Sequence, residues 1–141
     1  MPTVVKSVIV PHTAQRMFDL VDGVERYPDF LPWCSGARVI ERTVEVTCAR
    51  MDIQYHGLRT HFSTRNVKHP PRRMELHLED GPFDRLEGEW RFTPLGEEGC
   101  RIELAIDYAL ASSTMARVLA PVFGHIMETL VDRFVARAES A

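Results

Sequence analysis

The chain has 141 residues, 45% of them hydrophobic, and a formal net charge of −3. That length and composition fit one domain, residues 1–141, with a real core; the mild charge gives no global reason to expect nucleic acid, though it leaves room for a local basic patch. There is no apolar run of roughly eighteen residues to span a membrane, no basic-then-apolar leader, and no CxxC among Cys34, Cys48 and Cys100, so the sequence reads as a cytosolic protein with reduced thiols.

Residues 3–10 are rich in β-branched side chains and predict a strand that Pro11 ends. Thr13 is placed to cap a first helix, with Met17, Phe18 and Val21 facing inward and Gly23 closing it. The stretch from Val24 to Ser35 holds Pro28 and Pro32, which exclude a long regular helix. Tyr27, Phe30 and Trp33 make it too aromatic for an ordinary solvated loop. It reads as short helical turns that hold aromatic side chains against the body.

From residue 36 to 110 the period is two. Strands are expected over 37–43, 46–56, 58–67, 72–79, 85–93 and 101–110. One face carries Ala49, Met51, Ile53, Tyr55, Leu58, Thr60, Phe62, Thr64, Met74, Leu76, Leu78, Leu86, Trp90, Phe92, Ile102, Leu104, Ile106, Tyr108 and Leu110. The other is largely Arg, Glu, Asp and His, and includes Ser63. One dry face and one wet face mark an antiparallel sheet. Short links at Pro70-Pro71, Gly81-Pro82 and Gly96 to Gly99 suit hairpins rather than crossovers.

The last stretch, Ser112 to Ala138, predicts one long helix. Its apolar stripe runs through Met115, Val118, Leu119, Val122, Phe123, Ile126, Leu130, Phe134 and Val135, widened by Met127 and Val131. Ser112 and Ser113 are candidate caps. Pro121 removes one helical hydrogen bond and predicts a kink or a fresh start.

These elements imply an α+β fold in which a sheet curves around a helix. Seven strands at about 4.8 Å spacing span roughly 30 Å, whereas a helix covers about 10 Å. A flat sheet would leave much of its dry face in water, so the sheet must curl, with Gly88 as the expected bend or bulge. A sheet curled around one helix tends to leave an apolar gap, covered here by the Tyr27–Trp33 segment. Such a gap is a candidate small-molecule cavity; the alternative is a solidly packed core.

Three runs carry a family resemblance. They are Val24 through Ala37 (VERYPDFLPWCSGA), Asp80 through Phe92 (DGPFDRLEGEWRF), and Phe123 with Leu130-Val131-Asp132-Arg133-Phe134. Together they resemble the coenzyme-Q-binding START-like proteins of the SRPBCC superfamily. That family includes the bacterial ribosome association toxin RatA and is often labelled polyketide cyclase/dehydrase or oligoketide cyclase. The resemblance covers nearly the whole chain. It implies the helix-grip (START/Bet v-like) fold, a curved antiparallel sheet of about seven strands around a long C-terminal helix. It also implies one of two functions: binding of ubiquinone in support of respiration, or binding of the large ribosomal subunit to block subunit joining.

The residues offer no catalytic constellation. No inward hydroxyl is paired with a base, and no phosphate loop or nucleophile elbow is present. His125, Glu128 and Asp132 lack a metal-ligand spacing and read as the polar flank of the last helix. A non-enzymatic binding protein is therefore expected, with no metal and no cofactor beyond a bound ubiquinone or similar polyisoprenoid lipid. The candidate cavity walls are Phe30, Leu31, Trp33, Phe62, Leu76, Trp90, Phe92, Val122, Phe123, Ile126 and Leu130, with Tyr55 and Thr60 as hydroxyl donors. The turn between the third and fourth predicted strands of this region carries Arg65, Lys68, Arg72 and Arg73. These four cations form a candidate patch for an anionic partner, either rRNA phosphate or anionic lipid at the inner membrane surface. The patch has no stacking aromatic, which favours lipid over RNA. The primary expectation is a quinone carrier and the alternative is a ribosome-binding translation inhibitor.

Overall fold

The computed structural model describes residues 3–111 and 114–140. Seven strands form one antiparallel sheet in the order β1-β7-β6-β5-β4-β3-β2. They are β1 Thr3–Val10, β2 Cys34–Arg42, β3 Val46–Tyr55, β4 Leu58–His69, β5 Arg73–Asp80, β6 Phe83–Leu95 and β7 Gly99–Leu110. Between β1 and β2 lie α1, Ala14–Asp22, and a 3-10 helix, Val24–Asp29. The chain closes with α2, Thr114–Ser140. This is the curved antiparallel sheet with a long C-terminal helix that the pattern predicts, and the helix-grip fold that the resemblance implies.

Local chemistry accounts for these elements. Thr13 Oγ1 accepts from the Arg16 amide at 3.1 Å and caps α1. The Gly23 amide closes it on the Asp19 carbonyl at 3.0 Å. Met17, Phe18 and Val21 are buried as their spacing required. β3 and β4 are joined by His56 and Gly57, both at positive φ, the geometry of a two-residue hairpin turn. Several strands run longer than their alternation predicted. β4 reaches His69, and β6 begins at Phe83.

The alternation holds on most of the dry face. Ala49, Met51, Ile53, Phe62, Met74, Leu86, Trp90, Phe92, Ile102, Leu104, Ile106 and Tyr108 are all buried. Ser63, expected on the wet face, is buried as well. The β4–β5 register slips between Ser63 and Thr64, and such an irregularity turns a side chain away from its regular face. Gly88 is not a bulge, because β6 keeps register with β5 and β7 through it. The slip in β6 falls between Phe83 and Arg85 instead. What Gly88 permits is close approach: a Cβ there would lie 2.8 Å from both the Ala105 carbonyl oxygen and Ile106 Cγ1.

α2 passes through Pro121 as one helix, without the fresh start that the proline suggested. Leu119, Val122, Phe123, Ile126, Met127, Val131, Phe134 and Ala138 are buried against the sheet and α1. Val118 is 46% exposed, a correction to the expected stripe. It lies about 100° round the helix from Leu119, beyond the margin of the buried face. Leu130 and Val135 are half-buried. The capping proposed for Ser112 and Ser113, and the side chain of Met115, lie outside the described residues.

Candidate functional site

The residues expected to wall a cavity do converge between the sheet and α2, but they meet one another. Phe62 contacts Phe83 at 5.9 Å and Phe123 at 6.2 Å between ring centroids. Phe83 and Phe123 are 4.7 Å apart. Further along, Trp90 stacks on Phe92 at 6.0 Å and meets the edge of Phe134 at 5.4 Å. Phe92 in turn meets Phe18 of α1 at 5.8 Å. Leu31, Trp33, Val122 and Ile126 are also buried. For Phe62, Trp90, Phe92 and Phe123 the expectation of an open wall therefore gives way to a packed aromatic core. Periodicity says which way a ring points, not how far it is from the ring opposite. Phe83 joins this cluster from ahead of the regular alternation, which the register shift between Phe83 and Arg85 interrupts, so the period of two does not mark it.

The remaining candidates sit at the margins. Phe30, Tyr55, Thr60, Leu76 and Leu130 are half-buried. Tyr55 stacks on His125 of α2, with centroids 5.2 Å apart and 17° between planes. Thr60 lines a surface recess of about 400 Å³ with Ser35, Asp52 and His61. Trp33 is buried, and its indole N–H has no hydrogen-bond partner among the described residues. No group of three or more His, Cys, Asp or Glu among the described residues is arranged to hold a metal ion. Glu128 and Asp132 are exposed.

The predicted cationic patch is also reorganised. Because β4 continues to His69, its alternation carries Lys68 to the dry face with Thr64 and Asn66. Lys68 is 8% exposed and its Nζ lies 3.2 Å from Asp22 Oδ2. Arg73 is held by Glu75 at 3.2 Å and Glu89 at 2.6 Å. Glu75 also takes His69 at 2.8 Å, and that hydrogen bond, more than the nearby Arg73, lowers its pKa. Arg65 and Arg72 remain exposed, with Arg65 4.0 Å from Cys48 Sγ. Lys68 therefore leaves the patch, and two glutamates balance Arg73.

A different site emerges where α1, the 3-10 helix, β2 and the end of α2 meet. An open groove of about 740 Å³ is lined there by Arg16, Arg26, Arg42 and Arg137, with Asp19 and Phe30 among their neighbours. Arg16 donates to the Ala138 carbonyl at 2.7 Å, tying α1 to α2. Arg42 grips Glu25 at 2.8 and 3.1 Å and the Asp22 carbonyl at 2.7 Å. Its pairing with Glu25 raises an already high pKa. Arg137 lies over the Phe30 ring, 5.3 Å from its centroid. The ring is held by edge contacts to Tyr27 at 6.0 Å and Phe134 at 5.3 Å. Tyr27 is itself fixed, its hydroxyl donating to the Val21 carbonyl, and burial pushes its pKa far up. No sequence pattern singled out this groove, because its arginines come from four separate elements.

Residues 10–135 match the family described as polyketide cyclase/dehydrase and lipid transport, and the chain belongs to that family. Within it, the chain is 40% identical over 134 residues to the ribosome association toxin RatA of Pseudomonas aeruginosa, covering 95% of this chain and 93% of that one. It is 36% identical to the RatA of Escherichia coli over 99% of this chain and 88% of the relative. A more distant relative, the mitochondrial coenzyme Q-binding protein COQ10 homolog B of Xenopus laevis, is 23% identical over 94% of this chain and 56% of its own length. Among solved structures, the 18 kDa protein CC1736 of Caulobacter crescentus is 31% identical with a TM-score of 0.74, covering 99% of this chain and 97% of the other. The Zhui aromatase/cyclase of a Streptomyces species reaches a TM-score of 0.84 at 19% identity, covering 98% and 93%, a likeness of fold alone. Among the described residues no helix is long and apolar enough to cross a membrane.

Proposed function

We propose that this protein associates with the ribosome, binding the large subunit and blocking its joining to the small one. The observation that carries this reading is the 40% identity to a ribosome association toxin over 95% of the chain. The geometry is consistent with it. The aromatic side chains between sheet and helix are occupied with one another, so the accessible chemistry is on the surface. On this reading the function is binding without a reaction step, in the cytoplasm where ribosomes work. Sedimentation of a lysate after overexpression tests it. The protein should travel with large subunits while joined ribosomes decrease; a protein that stays at the top of the gradient overturns the reading.

Quinone binding is a second reading, supported by one specific observation. The Trp33 indole N–H is buried without a partner, and an unpaired buried donor is costly. A quinone carbonyl is an acceptor of the right kind for it. The packed rings weigh against this reading, since a ligand would have to displace them. Organic extraction followed by mass spectrometry decides it: a quinone carried by the wild type and lost in Trp33→Phe supports the reading. Repeated preparations without quinone, and no binding of added quinone, overturn it.

A further inference from the structure

We propose that the groove between α1, the 3-10 helix and the end of α2 is the surface that grips ribosomal RNA, with one unpaired base stacked on the guanidinium of Arg137. The inference rests on the ribosome reading and assigns its contact site. Four observations carry it.

First, the cations lining the groove are all arginines: Arg16, Arg26, Arg42 and Arg137. A planar guanidinium can fork onto phosphate and stack on a base, which a lysine ammonium does not do. A lipid surface attracts Lys and Arg alike, so an all-arginine lining favours RNA.

Second, much of the opposing charge is already engaged. The groove also holds Asp19, Asp22 and Glu25. Asp22 is paired with Lys68 at 3.2 Å, and Glu25 with Arg42 at 2.8 Å. Asp19 accepts from the Gln15 side-chain amide at 2.8 Å. Arg26 is exposed, and among the described residues neither it nor Arg137 has an ion pair.

Third, the groove contains the aromatic element that the β4–β5 turn lacks. Phe30 supports one face of Arg137, and Tyr27 and Phe134 hold Phe30 in place. The guanidinium therefore rests on a ring that is itself held in place. RNA readers stack unpaired bases on guanidinium planes as well as on aromatic rings.

Fourth, the volume of about 740 Å³ lies within the range of small-molecule sites, enough for a nucleotide unit. On the β4–β5 turn, by contrast, Lys68 and Arg73 are already paired, and the recess of about 350 Å³ that Arg73 borders is lined by Glu75, Glu87 and Glu89 as well.

The test is binding of purified large ribosomal subunits by wild type and variants whose melting temperatures match. Arg26→Gln with Arg137→Gln should weaken binding roughly tenfold or more, from lost phosphate contact and lost stacking. Arg137→Lys should recover part of the loss, because it restores charge without the plane. Phe30→Leu should weaken binding while leaving every charge in place. Arg65→Gln with Arg72→Gln, on the turn, should change it less than about twofold. A double groove variant that binds as wild type does overturns the groove assignment and leaves the ribosome reading standing. A wild type that binds no subunits overturns both. Vesicles rich in phosphatidylglycerol form a parallel arm. If the groove variants lose vesicle binding but keep subunit binding, the groove is a lipid contact and the RNA assignment fails.

Discussion

The ammonium of Lys68 lies 3.2 Å from Asp22 Oδ2, joining the inner face of β4 to the last residue of α1. Thr47 Oγ1 donates to the other Asp22 oxygen at 2.8 Å, so both carboxylate oxygens have partners. The Lys68 side chain is 5% exposed and that of Asp22 19%. A buried ion pair adds little over an apolar replacement, but breaking one side strands the other charge. Solvent reaching Asp22 moderates that penalty.

Lys68→Met should therefore destabilise the protein by about 2 kcal/mol, and Asp22→Asn by about 3 kcal/mol, since the latter strands the more deeply buried ammonium. The double variant should lose less than the two singles combined. Urea midpoints measure all three. Strict additivity would show that the charges are not coupled.

That one lysine shows where a sequence reading succeeds and fails. The alternation from Ala49 through Tyr108 reported the dry face of the sheet, because strand period and burial are linked directly. Pro70-Pro71 and the neighbouring cations have the composition of a turn, which would leave Lys68 in water. In fact β4 continues to His69, and those extra residues move the side chain from water to core. The rings of Phe62, Trp90 and Phe123 point inward as the alternation predicts, but nothing in a periodicity tells whether facing rings touch. The groove was illegible for another reason. Arg16, Arg26, Arg42 and Arg137 stand far apart in the chain, and only the packing of α1 and α2 brings them together.

Gly88 sits where β6 and β7 crowd. Gly88→Ala would force its Cβ within 2.8 Å of a backbone oxygen and of Ile106 Cγ1. A backbone atom cannot rotate away, so the sheet itself must shift. The expected cost is about 1–3 kcal/mol, the usual range for overpacking. Thermal unfolding of the variant checks this. An unchanged melting temperature would mean that β6 and β7 separate more easily than their geometry implies.

Phe123 distinguishes a filled interior from a preformed cavity. Its ring packs on Phe62 and Phe83, and it is 1% exposed. In a filled core, Phe123→Ala loses transfer energy and also leaves a void, about 3–5 kcal/mol together. If the ring bordered existing empty space, fewer contacts would be lost and the cost would fall well short of that range. Denaturant unfolding decides between the two. A loss near 1 kcal/mol would revive the cavity and with it the quinone reading.

Cys34 sets an alkaline limit on stability. It is buried at the start of β2, its thiol donates to the Gly36 carbonyl at 3.3 Å, and burial pushes its pKa up to about 11 from an ordinary value of 9.0. The folded protein thus holds the thiol proton more tightly than the unfolded chain does. Below about pH 9 both states are protonated and the contribution to stability is fully present. Between pH 9 and 11 the unfolded chain releases its proton first, so stability falls as pH rises. The loss approaches roughly 2–3 kcal/mol by pH 11, at about 1.4 kcal/mol per unit of pKa difference. Burial raises the pKa of Tyr27 and Tyr108 as well, and these phenols steepen the decline at higher pH. Urea midpoints measured from pH 8 to 10.5 should therefore fall for wild type and fall less steeply for Cys34→Ala. Parallel slopes in the two proteins would mean that the thiol ionises as readily in the folded state as in the unfolded one.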